Sequence, residues 1–282
     1  MPRIDAHHHL WDLARRDQPW MDGPWADPIH RTFTLEDLEP HLGANGVDAT
    51  VVVQSSSSHD ETVELLAVAH ASARVAGVVG WADLTDPALP DVLAALRAAP
   101  GGDRLVGLRH QVQDEPDRHW LARPDVRRGL THLADADLAY DLLITPRELP
   151  AAIDAVRDLP GLRFVLDHAA KPPVASGARD PWDGEMAALA ALPNVVCKLS
   201  GLVTEAAWDS WLPEHVLPYA EHVLDTFGPD RVLFGSDWPV CTLAATYDQV
   251  VDLADRATRR LTEAERAAVF GTSATRAYGL GA

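Results

Sequence analysis

The sequence predicts a (β/α)8 barrel, and three observations predict it. Eight short apolar runs of strand length recur between residues 4 and 235. A helical pattern follows each run, and unbroken alternation of this kind gives a parallel sheet. The chain has 282 residues, an ordinary size for eight such units closed into one barrel. Several runs are apolar throughout, as in strands buried on both faces. A doubly wound open sheet would carry a glycine-rich phosphate turn after its first strand, and none follows Ile4 to Leu10. With no internal repeat and no low-complexity linker, residues 1–282 read as one domain.

The elements follow in order. The first strand, Ile4 to Leu10, leads into an aperiodic segment, Asp12 to Phe33, that holds Pro19, Trp20, Met21, Trp25 and Pro28. A loop this long is usually functional, and after strand one it should overhang the C-terminal mouth of the barrel. Thr34-Leu-Glu-Asp reads as a capping box opening a helix that stops at Gly43. Strand Ala49 to Gln54 precedes a helix over Ser58 to Ala71, with Val63, Leu66, Ala67 and His70 at helical spacing. Strand Val75 to Trp81 and helix Leu89 to Ala98 form the third unit. Strand Leu105 to Val112 precedes a helix opened by Pro124, with Val126, Leu130 and Leu133 on one face. Strand Leu138 to Ile144 is followed by a helix marked by Leu149, Ile153 and Val156. Strand Phe164 to Ala169 is followed by one marked by Met186, Leu189 and Leu192. Strand Val195 to Leu199 leads to helix Val216 to Phe227, ended by Gly228. Strand Val232 to Gly235 leads to helix Thr242 to Arg260, and Thr262-Glu-Ala-Glu opens a terminal helix through Phe270.

Composition excludes whole classes of function. The formal net charge is −18, which argues against nucleic acid and anionic membranes as partners. Two cysteines, Cys197 and Cys241, form no disulfide framework and suit a reducing compartment. No secretory signal and no membrane-length apolar run is legible. A cytoplasmic protein acting on a small molecule is the expectation.

The chemistry gathers at the strand ends. Residues two apart on a strand share a face. His7 and His9 therefore point together into the barrel near its mouth, with Asp5 one step deeper, while His8 points to the helices. Strand four ends in Arg109-His110-Gln111, strand six in Asp167-His168-Ala-Ala-Lys171, and strand eight in Ser236-Asp237-Trp238-Pro239. Strand seven carries Lys198. Charged groups at the ends of buried strands are costly unless they are paired or functional. His7, His9, Arg109, His168 and Asp237 lie on different strands and converge only if the barrel closes, which is what a catalytic or metal site needs.

IDAHHHLW, GLRHQVQDEPD, FVLDHAAKP and FGSDWPVC together resemble the amidohydrolase superfamily. They look most like its amidohydrolase family 2, in the branch of sugar lactonases and 2-pyrone-4,6-dicarboxylate lactonases. The resemblance runs from strand one to strand eight. It implies a distorted barrel and hydrolysis of a cyclic ester: a sugar lactone such as L-fucono-, L-galactono- or L-rhamnonolactone, or a dicarboxylic lactone. By position, His7 and His9 match the strand-one pair, His168 the strand-six histidine and Asp237 the strand-eight aspartate. Strand four offers Arg109 and His110 in place of a bridging lysine, and strand five carries Tyr140-Asp141 with no histidine, so a binuclear centre is not expected. Two alternatives stay open. One divalent ion such as zinc is held by His7, His9 and Asp237, with His168 as a further ligand, or the enzyme is metal-independent and the histidines polarise the carbonyl themselves.

On this reading Asp237 is the general base, with a pKa raised by a dry barrel mouth. His7, His9 and His168 stabilise the oxyanion. Arg109, His110, Lys171, Trp20 and Trp238 are the expected substrate contacts. Asp114, Glu115 and Asp117 read as a surface or loop-fixing run. Nine Trp against five Phe and four Tyr, several of them in mouth loops, suit a sugar ring packing on indole faces. The rival reading on the same scaffold is a metal-dependent decarboxylase; a sugar-binding protein without chemistry is the other.

Overall fold

The computed structural model describes residues 2–281. Eight parallel strands stand in sequential order: β1 Ile4–His8, β2 Ala49–Val53, β3 Val75–Gly80, β4 Leu105–His110, β5 Ala139–Leu142, β6 Phe164–Leu166, β7 Val195–Leu199 and β8 Val232–Phe234. The circle is closed just beyond β8, where His9 N donates to the Trp238 carbonyl at 2.7 Å and Asp237 N to the His7 carbonyl at 2.8 Å. The result is a nearly closed (β/α)8 barrel.

The helices between strands are α1 Leu35–Ala44, α2 His59–Ala71, α3 Leu89–Ala98, α4 Pro124–Asp135, α5 Leu149–Asp158, α6 Trp182–Ala190 and α7 Pro213–Phe227. After β8 come α8 Tyr247–Ala257, α9 Glu263–Ala267, a π-turn and α10 Ser273–Tyr278. Thr34 closes the expected capping box with Asp37, and Thr262 does so with Glu265. α8 starts five residues later than Thr242 because Val240–Leu243 forms a separate 3-10 turn. The aperiodic segment after β1 holds a 3-10 turn of its own, Pro24–Ile29.

Two apolar layers hold these elements. The larger lies between sheet and helices, with Val52, Leu108, Tyr140, Phe164, Cys197 and Phe234 from the strands. The smaller fills the barrel with Ile4, Ala6, Val51, Val165 and Leu233, and α10 joins it through Ala274, Ala277 and Tyr278. The last helix thus plugs the barrel interior, which the terminal pattern through Phe270 did not foretell.

Two local departures shape the site. The register of β1 against β2 shifts between Asp5 and His8. Asp5 was expected to share the inner face with His7; the bulge turns it outward, where its carboxylate accepts from Tyr247 of α8 at 3.0 Å. Strand six was expected to reach Ala169, but β6 ends at Leu166. His168, Ala169, Ala170 and Lys171 then take φ of 51°, 50°, 58° and 51°. Four successive left-handed residues with side chains are sterically costly, and such strain concentrates at functional sites.

Candidate active site

The site is built upward from a buried charge network. Lys198 of β7 donates to Asp141 of β5 at 2.5 Å and lies 2.9 Å from Asp167 at the end of β6. Arg109 of β4 pairs with Asp167 at 2.9 Å and bonds to Gln54. Tyr278 of α10 donates to Asp141 at 2.7 Å. Two cations against two carboxylates leave the cluster neutral, as a buried set must be. Burial pushes the Asp141 carboxyl up to about 6. Burial raises Asp167 too, but Lys198, His7 and Arg109 outweigh it and hold that carboxyl well below its ordinary range.

This network abuts the histidines. Lys198 Nζ lies 3.0 Å from His7 Nδ1 and Asp167 Oδ1 3.4 Å from the same nitrogen, so Nδ1 meets both a donor and an acceptor. His9 Nδ1 donates to the Val53 carbonyl at 2.8 Å, leaving its Nε2 lone pair facing His7 Nε2 at 3.1 Å. His168 Nδ1 bonds Ser200 Oγ at 2.9 Å. The Asp237 carboxylate faces all three rings, at 3.5 Å from His9 and 3.8 Å from His7 and His168. His8 points the other way and bonds Thr50 at 2.9 Å.

Burial, reinforced by the Lys198 charge, holds His7 neutral well below the ordinary histidine range. Burial likewise takes His168 down to about 4. For Asp237 burial pushes upward, but His168, His9 and Lys171 outweigh it and the carboxyl sits below its ordinary value. The expectation of a raised pKa is therefore corrected: at neutral pH Asp237 is an ionised base, with neutral His7 and His168 beside it.

Above this floor opens a cavity of about 330 Å³. Its base is His9, Arg109, His168 and Asp237, and its walls include Gln111, Gln113, Lys171 and Glu205. Trp20 and Trp25 from the loop after β1 and Trp208 from the loop after β7 form an aromatic rim, with Trp25 6.2 Å from Trp20 and 6.3 Å from Trp208 between ring centres.

Arg109, Lys171 and Trp20 therefore line the cavity as the sequence suggested, whereas His110 and Trp238 do not. His110 alternates with Arg109 on β4 and so faces outward, stacked on Trp120 at 4.3 Å and bonded to Glu115 at 2.7 Å. Trp238 is 2% exposed and packs on Phe33. Asp114, read as a surface residue, also lines the cavity. Glu205, Gln111 and the pairing of Lys198 with Asp141 went unassigned in the sequence, because only the closed barrel puts them together.

The donor set also fits a divalent metal ion. His7, His168 and Asp237 each offer a ligand atom, all within 4.8 Å of one another and all buried. Two imidazoles and one carboxylate are a familiar catalytic ligand set. The hydrogen bond between His168 Nδ1 and Ser200 Oγ, at 2.9 Å, fixes the ring from behind, as ligating histidines require.

The amidohydrolase sequence profile matches residues 4–280. The chain is 44% identical over 291 residues to the L-fucono-1,5-lactonase of Burkholderia multivorans, covering 99% of this chain and 96% of that one. It is 46% identical over 245 residues to the L-fucono-1,5-lactonase of Burkholderia ambifaria, covering 87% and 83%. The crystal structure of an amidohydrolase from Burkholderia multivorans with bound zinc superposes with a TM-score of 0.94 at 42% identity, over 100% of both chains. The 5-carboxyvanillate decarboxylase of Sphingomonas paucimobilis, at 15% identity, TM-score 0.65 and 99% and 98% coverage, shares the fold alone.

Proposed function

The chain belongs to the amidohydrolase family, and from that membership we propose that it is a lactonase that hydrolyses the ring ester of a neutral sugar lactone of the fucono-1,5-lactone type. The observation that carries the reading is an ionised carboxylate facing three histidines at the base of a tryptophan-rimmed cavity. Asp237 takes a proton from a water molecule as that water attacks the lactone carbonyl. Negative charge then develops on the carbonyl oxygen, and the Arg109 guanidinium at the cavity base is the donor placed to meet it, with the buried His7 ring 3.4 Å behind it. His168 and His9 position the Asp237 carboxylate and the carbonyl. When bound by His7, His168 and Asp237, with His9 alongside, a divalent metal ion such as zinc supplies Lewis-acid polarisation of the carbonyl. Collapse of the tetrahedral intermediate breaks the bond to the ring oxygen, Asp237 returns its proton to that oxygen, and a hydroxy acid is released.

The cavity's charge favours a neutral lactone over a dicarboxylic one. Its charged lining residues are Arg109 and Lys171 against Asp114, Glu205 and Asp237, and Asp167 already compensates Arg109. An anionic ring would enter a cavity with excess negative charge, at a cost of several kcal/mol for close like charges. The same argument disfavours an aromatic acid, the substrate of a decarboxylase. The aromatic rim suits the C–H face of a sugar ring. A panel of lactones assayed by acid release tests this. Sugar 1,5-lactones should be hydrolysed with far higher kcat/KM than pyrone dicarboxylates. Preference for the dicarboxylate, or carbon dioxide release from an aromatic acid without any lactone turnover, would overturn the reading.

A further inference from the structure

Among the described residues, three charged side chains of the cavity have no side-chain partner: the exposed Asp114 and, deeper, Lys171 and Glu205. The carboxyl of Glu205, in the loop after β7, makes no hydrogen bond or ion pair among the described residues. The same holds for the ammonium of Lys171, on the left-handed turn after β6. Both are half-buried, and leaving a charge partly desolvated and unpaired is costly. They feel each other's field but form no ion pair. Their loops are tied together at the backbone, where Ala175 N donates to the Glu205 carbonyl at 2.9 Å. The two walls are thus fixed relative to each other with an acceptor on one and a donor on the other.

Resting on the lactonase reading, we propose that Glu205 and Lys171 are the specificity-determining residues that read the ring hydroxyls of the substrate, Glu205 accepting from one hydroxyl and Lys171 donating to a neighbouring one. A hydroxyl is both donor and acceptor, so a polyhydroxylated ring satisfies a free carboxylate and a free ammonium together. A dicarboxylic ring offers only acceptors and leaves Glu205 unmet. Burial pushes the Glu205 carboxyl up, with Lys171 opposing and Asp237 reinforcing, so a hydroxyl donor there relieves a strained charge. The rim tryptophans cover the apolar face of the ring, and the pair reads its polar edge.

The test is a cycle between residue and hydroxyl. Wild type and Glu205→Gln are assayed on a sugar 1,5-lactone and on its singly deoxygenated analogues. Removing one charge-assisted hydrogen bond should raise KM about 10-fold or more with a smaller change in kcat. For one analogue, wild type should show a similar loss and Glu205→Gln should add nothing further. Lys171→Met should behave in the same way at a neighbouring position. If Glu205→Gln lowers kcat by one common factor on every lactone, deoxygenated or not, it acts on the ester itself and the proposal fails. Independent, additive losses also overturn it while leaving the lactonase reading intact. Failure of wild type to hydrolyse any lactone would remove both.

Discussion

Asp237 is the residue whose chemistry can be separated from its shape. Asp237→Asn keeps the volume and removes the proton acceptor. Hydrolysis should fall about 100-fold or more, because general-base catalysis is worth roughly 10²–10⁴, and binding of an unreactive lactone analogue should survive. Near wild-type turnover would end the mechanism. The pKa direction adds a second expectation. Asp237 is held below its ordinary value against its own burial, so kcat/KM should show no loss from this base as pH falls from 8 to 5. A base with a raised pKa would begin to lose activity within that range. Exhaustive chelation separates the two ways of polarising the carbonyl. If the His7, His168 and Asp237 group works through a bound ion, activity is abolished and zinc restores it. If the protein's own donors suffice, the rate is unchanged.

The loops after β6, β7 and β8 are where sequence and structure part. The starts of the strands are legible because apolar runs mark them, but their ends are not. Past Leu166 the chain still reads as an apolar strand, yet it turns left-handed to aim His168 at the mouth. Asp237 likewise sits at φ 58°. Period-2 alternation did place His7 and His9 inward and His8 outward, and the same alternation applied to His110 beside Arg109 on β4 would have set His110 aside. Asp5 was misread because a bulge leaves no signature in IDAHH. The loop after β7 supplies the clearest test at this scale. Gly201 has φ +64°, and a Cβ there would lie 2.4 Å from His168 Nδ1, at the position that bonds Ser200. Gly201→Ala should displace the His168 ring. kcat should drop about 10-fold or more, as misplacement near 1 Å is enough for such losses, while the barrel stays folded. Unchanged kcat would show that His168 need not stand where this glycine lets it.

For the whole molecule, the consequence of building a site inside a barrel is sensitivity to acid. His7, His8 and His168 are all buried and neutral: His7 well below the ordinary value, His8 at about 3 and His168 at about 4, with burial the largest cause in each. In the unfolded chain they titrate near 6.5. As pH falls below 6.5 the unfolded state therefore takes up protons that the folded state refuses, and stability is lost. Asp141, raised to about 6, works the other way between its unfolded value of 3.8 and 6, since there the folded form holds the extra proton. Asp5 and Glu205, both raised mainly by burial, oppose the loss in the same way. Three histidines against these carboxyls leave a net proton uptake on unfolding, each unbalanced histidine contributing about 1.4 kcal/mol per pH unit. Below 3.8 the loss steepens, because Asp167 is held well below its ordinary range and its network with Lys198 and Arg109 fails when it is protonated. Denaturant titrations of chelator-treated protein from pH 7 to 4.5 should show this decline. His8→Gln supplies an amide toward Thr50 without a titrating ring. Lying outside the barrel, it should leave kcat intact and remove about one proton, roughly 1.4 kcal/mol per pH unit, from the slope. A flat stability profile, or a His8→Gln slope equal to wild type, would show that these histidines are already charged in the folded protein.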